Sequence, residues 1–215
     1  GILSSGLIEA EFQEEAVDEY LANRYVREPF TFFKNIFQVK GSSFLKFDNN
    51  LNKSEINYWS LPILNFSKKY NEKDIIKRTD NEVSEAIKRW LISDVKVGSY
   101  LSGGIDSAII ATLSKAKDTW SVGTSNSNEF LDAARTATFL NSRHSNIAID
   151  TDEFLTSAVE MIESQREPVC VPNEVLLYAL NKRIKSTNTV MLSGEGADEL
   201  FAGYNEFSKL SAESI

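Results

Sequence analysis

The distribution of apolar positions changes character near residue 95. Beyond it, short continuous apolar runs alternate with segments whose apolar residues recur at helical spacing. Residues 95–101 read as a buried strand and 105–116 as a helix. Further strands are expected at 119–124, 146–149 and 189–192. Phe130, Ala133, Ala137 and Leu140 mark one face of a helix over about 129–140. Val175, Leu176, Ala179, Leu180 and Ile184 mark the inward face of another over 173–185. Between them Thr151 reads as the N-cap of a helix, with Asp152 and Glu153 in its first turn. Strand–helix alternation at this spacing predicts an α/β fold, a parallel doubly wound sheet with right-handed crossovers. A strand order of 3-2-1-4 would make the first and fourth strands neighbours.

The first 94 residues follow other patterns. Val17, Tyr20 and Leu21 recur at helical spacing within 14–24. Aromatic runs at 29–37, 43–47 and 58–62, broken by Gly41 and Asp48-Asn49-Asn50, predict a hairpin and an extended connector, with the aromatics packed inward. Residues 63–74 are polar and lysine-rich, as an exposed loop would be. Ile76, Val83, Ile87, Trp90 and Leu91 form a helical stripe over 75–93.

Two strand ends carry candidate chemistry. The first strand runs into Ser102-Gly103-Gly104, a small-residue turn that opens directly into a helix. Backbone N–H groups in such a turn converge on an anion, and Ser102 and Ser107 add hydroxyl donors. Asp106 belongs in a phosphate cradle only if it holds a divalent cation that the phosphates share. An ordinary strand–turn–helix with a surface aspartate is the alternative. The fourth strand also runs into Ser193-Gly194, followed by Glu195, Asp198 and Glu199. In sheets of this type ligands bind beyond the carboxyl ends of the strands, where the winding reverses. With the first and fourth strands adjacent, Asp106 and Asp198 would face one Mg²⁺-triphosphate there.

Together SGGIDS at 102–107 and LSGEGADELFAGY at 192–204 resemble the asparagine synthetase family of ATP pyrophosphatases. The first motif matches fully, and the second carries Ala202 where the family has glycine. The resemblance covers roughly residues 15–207. It implies a sheet of the adenine nucleotide alpha-hydrolase type, preceded by a helix and β-hairpin linker, with ATP and Mg²⁺ as cofactors. It also implies a reaction. ATP activates the side-chain carboxylate of aspartate as β-aspartyl-AMP, pyrophosphate leaves, and ammonia displaces AMP to give asparagine. By resemblance Glu195 is the base for the attacking ammonia, Val122 meets adenine, and Leu101, Ser193 and Gly194 touch the nucleotide. Val122 reads equally well as a plain core valine. Glu199 supports the site or packs beside it. Asn128-Glu129 stands where the family has Asp-Glu, so Glu129 either faces the nucleotide or simply begins a helix. Glu167-Pro168 resembles a substrate-pocket segment, but Arg166 and Val171 replace acids there and leave the carboxylate substrate open. His144 is expected to be structural, Lys34 a solvated linker residue and Cys170 a small buried filler.

The same resemblance divides the chain into residues 1–62, a link from a glutaminase domain, and 63–215, part of the synthetase domain. The family's glutaminase nucleophile is an N-terminal cysteine, whereas this chain begins Gly1-Ile2-Leu3 and has Cys170 as its single cysteine. The expected partners are therefore aspartate and ammonia, with glutamine used only through a glutaminase domain outside this sequence; a homodimer stays open. A net charge of −8 argues against a nucleic-acid partner, which needs a basic face. One cysteine excludes an intrachain disulfide and fits a reducing, cytoplasmic compartment. No apolar run reaches membrane-spanning length. Three competing readings keep the first loop: a β-lactam-forming relative, a tRNA-modifying ATP pyrophosphatase, and a non-catalytic nucleotide-binding fragment. The acidic balance and the second motif stand against the tRNA reading.

Overall fold

The apolar runs beyond residue 95 form a four-stranded parallel sheet. The computed structural model describes residues 1–62 and 71–204, in two units, Gly1–Lys69 and Tyr70–Ile215. In the first, α1 (Glu15–Asn23) is followed by an antiparallel hairpin of β1 (Ser43–Phe47) and β2 (Lys53–Asn57). The Asp48 carboxylate fixes its turn by accepting from the Asn50 and Asn52 amides at 2.8 and 2.9 Å. Ala16 and Phe32 are buried, and Tyr20 meets the Phe32 ring edge-on at 5.7 Å. The other aromatics depart from expectation, since Phe30, Phe37, Phe44, Phe47, Tyr58 and Trp59 are all exposed. A two-stranded hairpin cannot bury both its faces, and no second layer covers it among the described residues of this unit. Lys34 is an exposed residue paired with Glu11.

The second unit opens with α2 (Glu72–Trp90), capped by Asn71 Oδ1, which accepts from the Lys73 amide at 2.9 Å. The helix thus starts inside the stretch expected to be loop; residues 63–70 of that stretch lie outside the described residues. Of its stripe, Ile87 is buried while Ile76 and Trp90 are 61% and 74% exposed. A periodic face is buried only where another element reaches it, and here that element is α3.

Then follow β3 (Val97–Tyr100), α3 (Ile105–Ser114), β4 (Asp118–Gly123), α4 (Phe130–Phe139), β5 (Arg143–Ala148), α5 (Thr151–Gln165), α6 (Pro172–Ile184), β6 (Val190–Leu192) and α7 (Ala197–Phe201). The strand order is β5-β4-β3-β6, all parallel, which is the 3-2-1-4 order that makes the first and fourth strands of the sheet neighbours. Registers place Ser99 beside both Thr119 and Leu192. The chain runs outward through α3 and α4 and returns through α5 and α6 to β6 on the other side of β3, a path that right-handed crossovers would divide between the two faces of the sheet. The winding therefore reverses between β3 and β6.

Small residues bring the helices close to the sheet. Leu101, Ala111, Ala133 and Ala137 form one buried cluster with Leu140 against it, and Met161, Val175, Ala179, Leu180 and Ile184 are buried along α5 and α6. β5 begins earlier than its apolar run. Arg143 pairs with Asp118 at 2.7 Å, and His144 Nδ1 lies 3.0 Å from Thr119 Oγ1, so polar cross-strand contacts extend the strand where hydrophobicity gives no sign. Nε2 of His144 meets Asn146 Oδ1 at 2.8 Å, which gives both ring nitrogens protein partners. The cap of α5 is Asp150, not Thr151: its Oδ1 accepts from the Glu153 amide at 2.8 Å. Both residue types cap helices, and the extended backbone of Asp150 decides between them. Cys170 is exposed, contrary to expectation, because it lies in the α5–α6 connection and connections run over the surface. Partial desolvation, then the charges of Glu174 and Glu167, push its thiol up and away from the reactive thiolate. Among the described residues no helix is long and apolar enough to cross a membrane.

Candidate functional site

The carboxyl ends of β3, β4 and β6 open into a cavity of about 500 Å³. Leu101, Ser102, Asp106, Ser107, Val122, Ser193, Gly194, Glu195 and Asp198 border it, so two segments ninety residues apart in the chain meet there. Gly103 and Gly104 shape the turn without bordering the cavity.

The turn is tied by its own hydroxyls. Ser107 Oγ accepts from the Ser102 amide at 3.0 Å and lies 2.8 Å from Ser102 Oγ, which in turn accepts from the Gly104 amide at 3.0 Å. Ser107 is buried one turn into α3, so its hydroxyl pulls the chain from strand end into helix start. Leu101 is 1% exposed, donates its amide to Trp120 O at 2.9 Å, and accepts the Ser121 hydroxyl at its carbonyl. The start of the turn is thereby anchored in the sheet.

The second motif packs directly on the first. A Cβ at Gly194 would stand 3.0 Å from Asp106 Cβ and 3.2 Å from the Asp106 carbonyl carbon and the Ser107 nitrogen. Only a residue without a side chain lets β6 deliver its loop this close to α3. Gly196, at φ +86°, then turns the chain into the short α7. This half-turn leaves Asp198 half-buried and Glu195 exposed at the cavity. Tyr204 donates its hydroxyl to Glu199 Oε1 at 2.6 Å; that bond holds the Glu199 carboxyl below its usual range and pushes the Tyr204 phenol up to about 12.

Ala202 departs from the family motif, and its backbone shows why glycine is usual there. It caps α7 at φ 55°, ψ 43°, in the left-handed region. Ala202→Gly is expected to raise stability by about 1 kcal/mol. A denaturant or thermal midpoint that stays put or falls would contradict this.

The lining also includes residues that sequence reasoning did not assign. Asn173, Leu176, Leu177 and Leu180 of α6 form a wall, and Tyr100 and Trp120 stand on the sheet side. Side chains two apart on a strand share a face, so once Val122 was placed at the cavity Trp120 was readable too. The α6 wall carried no local signal. Tyr100 OH donates to Asn181 Oδ1 at 2.5 Å and Trp120 Nε1 to Asn188 Oδ1 at 3.0 Å, fixing both rings. Glu129 reaches the site as well: its Oε2 accepts the Gly103 amide at 2.8 Å. Asp118, Arg143 and His144 do not border the cavity.

The electrostatics are one-sided. Asp106, Glu129, Glu195, Asp198 and Glu199 border the cavity, and among the described residues no lysine, arginine or histidine does. Such a site repels free polyphosphate and takes cations or cation-bound anions. Among the described residues no group of three or more metal-ligating side chains is present. One or two carboxylates with further oxygens from phosphate and water are the usual donor set for Mg²⁺, and Asp106 and Asp198 at the cavity are residues of the type that could hold such an ion.

Comparisons with known proteins relate this chain to asparagine synthetases. The family model described as asparagine synthase matches residues 78–214. The glutamine-hydrolysing asparagine synthetase 1 of Bacillus subtilis is 32% identical over 203 residues, covering 91% of this chain and 32% of that protein. The glutamine-hydrolysing asparagine synthetase of Rattus norvegicus is 34% identical over 140 residues, covering 59% of this chain and 25% of that protein. The chain thus spans about a third or less of the length of these relatives. An ammonia-dependent NAD synthetase from Campylobacter jejuni, solved with a nitrate ion, aligns over 64% of this chain and 62% of that chain at 22% identity, with a TM-score of 0.37.

Proposed function

The chain belongs to the asparagine synthase family, and on that premise we propose that its second unit binds ATP with Mg²⁺ and activates the side-chain carboxylate of aspartate for amide formation. The observation that carries this reading is the meeting of both acidic strand-end motifs at one cavity, beyond adjacent strands β3 and β6. In the first step a carboxylate oxygen attacks the α-phosphorus and the bond to pyrophosphate breaks, giving β-aspartyl-AMP. In the second, the nitrogen lone pair of ammonia attacks the acyl carbon, the bond to AMP breaks, and the nitrogen loses a proton.

This chain's residues divide that work. Leu101, Ser102, Ser107, Ser193 and Gly194 hold the nucleotide from the cavity wall, Gly103 and Gly104 join them through turn amides that its phosphates uncover, and Val122 and Trp120 flank its base. Asp106 and Asp198 would hold the metal, which supplies charge neutralisation on the departing pyrophosphate. Glu195, exposed at the cavity between two glycines, takes the proton from the attacking nitrogen. Residues 1–62 serve as the link from a glutaminase domain and 63–215 as part of the synthetase domain. Ammonia is the direct nitrogen donor, and glutamine is its source where a glutaminase domain is attached.

The test is exchange of labelled pyrophosphate into ATP in the presence of Mg²⁺, with aspartate replaced in turn by other carboxylic acids. Exchange that depends on aspartate supports the proposal. Exchange with another acid moves the chain to a related adenylating ligase, and exchange with none removes the activation step.

A further inference from the structure

Each N–H of the glycine turn is already partnered within the protein, and one partner is unlike the others. The Ser102 and Gly104 amides donate to serine hydroxyls, while the Gly103 amide donates to the Glu129 carboxylate at 2.8 Å. Ser107 Oγ donates its own proton to the Gly104 carbonyl at 3.1 Å, whereas the Ser102 hydroxyl, which accepts from the Gly104 amide, has a proton it can turn to an incoming phosphate. A carboxylate has none, and its charge opposes the phosphate. Glu129 stands at the N-cap position of α4 yet makes no capping bond there. Asn128 Oδ1 instead accepts from the Phe130 amide at 3.3 Å. The Glu129 side chain is turned onto the glycine turn, and the approach is close: a Cβ at Gly103 would stand 3.2 Å from both Glu129 Cβ and Asp132 Cβ.

We infer that Glu129 is an internal counter-anion: its carboxylate occupies the Gly103 N–H until a phosphate group displaces it, and this makes the site select metal-bound polyphosphate over the free form. The inference rests on the reading of this cavity as a Mg²⁺–ATP site. Displacement returns Glu129 to a cavity that already holds Asp106, Glu195, Asp198 and Glu199 and no described cation. A free triphosphate adds its full charge to that set. A metal-bound one brings its own compensation, so removing the Glu129 charge should favour the free form more than the bound one.

The test is calorimetric titration of the chain with ATP, once with Mg²⁺ in excess and once with a chelator, on the wild type, Glu129→Gln, Glu129→Ala and Asp106→Asn. Glutamine keeps an acceptor for the Gly103 amide and removes the charge. The expected result is that Glu129→Gln binds metal-free ATP about tenfold more tightly than the wild type while Mg²⁺–ATP affinity changes less, so discrimination between the two forms shrinks. Glu129→Ala should shrink it as well. Unchanged discrimination in both variants, or equal weakening of both forms with rescue by glutamine, would overturn the inference and leave Glu129 as a brace for the turn. If Asp106→Asn retains full Mg²⁺–ATP affinity, or the wild type binds neither form, the nucleotide reading itself fails and the inference falls with it.

Discussion

Asp106→Asn should lower Mg²⁺-dependent AMP formation by about a hundredfold or more, and Asp198→Asn should do the same. Both side chains border the cavity at the ends of adjacent strands, and the proposed metal is their shared ligand. Removing either carboxylate leaves a site whose remaining acids still repel the triphosphate but no longer hold its counter-ion. Groups that act through one ion do not contribute independently. The double variant is therefore expected to be little worse than either single one. The measurement is AMP release with aspartate, ammonia and ATP across a Mg²⁺ titration. Full activity in either single variant, or strictly multiplicative losses in the double, would be incompatible with a shared metal.

Gly194→Ala has the second large effect, and it acts through packing. The new methyl would meet Asp106 Cβ at 3.0 Å and two backbone atoms, the Asp106 carbonyl carbon and the Ser107 nitrogen, at 3.2 Å. Backbone at the start of a helix cannot move aside as a side-chain tip can. The β6 loop or the first turn of α3 must shift, at a cost of about 1–3 kcal/mol and a fall of several degrees in melting temperature. Nucleotide affinity should fall with it, because the shift separates the two motifs. Gly104→Ala is the comparison. Its backbone, at φ −83°, suits any residue, and the nearest atom to its Cβ is the Ser102 hydroxyl oxygen at 3.2 Å. Gly104→Ala should therefore cost much less stability. Equal melting temperatures for Gly194→Ala and the wild type would show that the two motifs do not bear on each other.

Exposed apolar faces account for two of the departures from sequence expectation. The stripe of α2 and the aromatic runs of 29–62 are expected to be buried because apolar residues usually are, yet Trp90, Ile76 and most of those rings are exposed. A helical or alternating pattern records that a face is apolar and does not specify what covers it. The early start of β5 failed in the opposite sense. Arg143 and His144 extend the strand through Asp118 and Thr119, polar partners invisible to a hydrophobicity scan. For Cys170 residue type predicts burial, but its place in a connection decides its exposure.

Local pattern alone determined the alternation of strands and helices beyond residue 95, the parallel sheet that such alternation implies, and the two small-residue strand ends with their acids, while the 3-2-1-4 order came from the tertiary structure. Each is written in a short stretch of chain, and crossover handedness limits how such stretches assemble. Only the tertiary structure decided what those stretches touch: Gly194 against Asp106, the α6 wall, and Glu129 on the Gly103 amide twenty-six residues away in the chain. Contacts of that kind depend on how closely packed elements approach one another, and spacing along a sequence carries no measure of that distance.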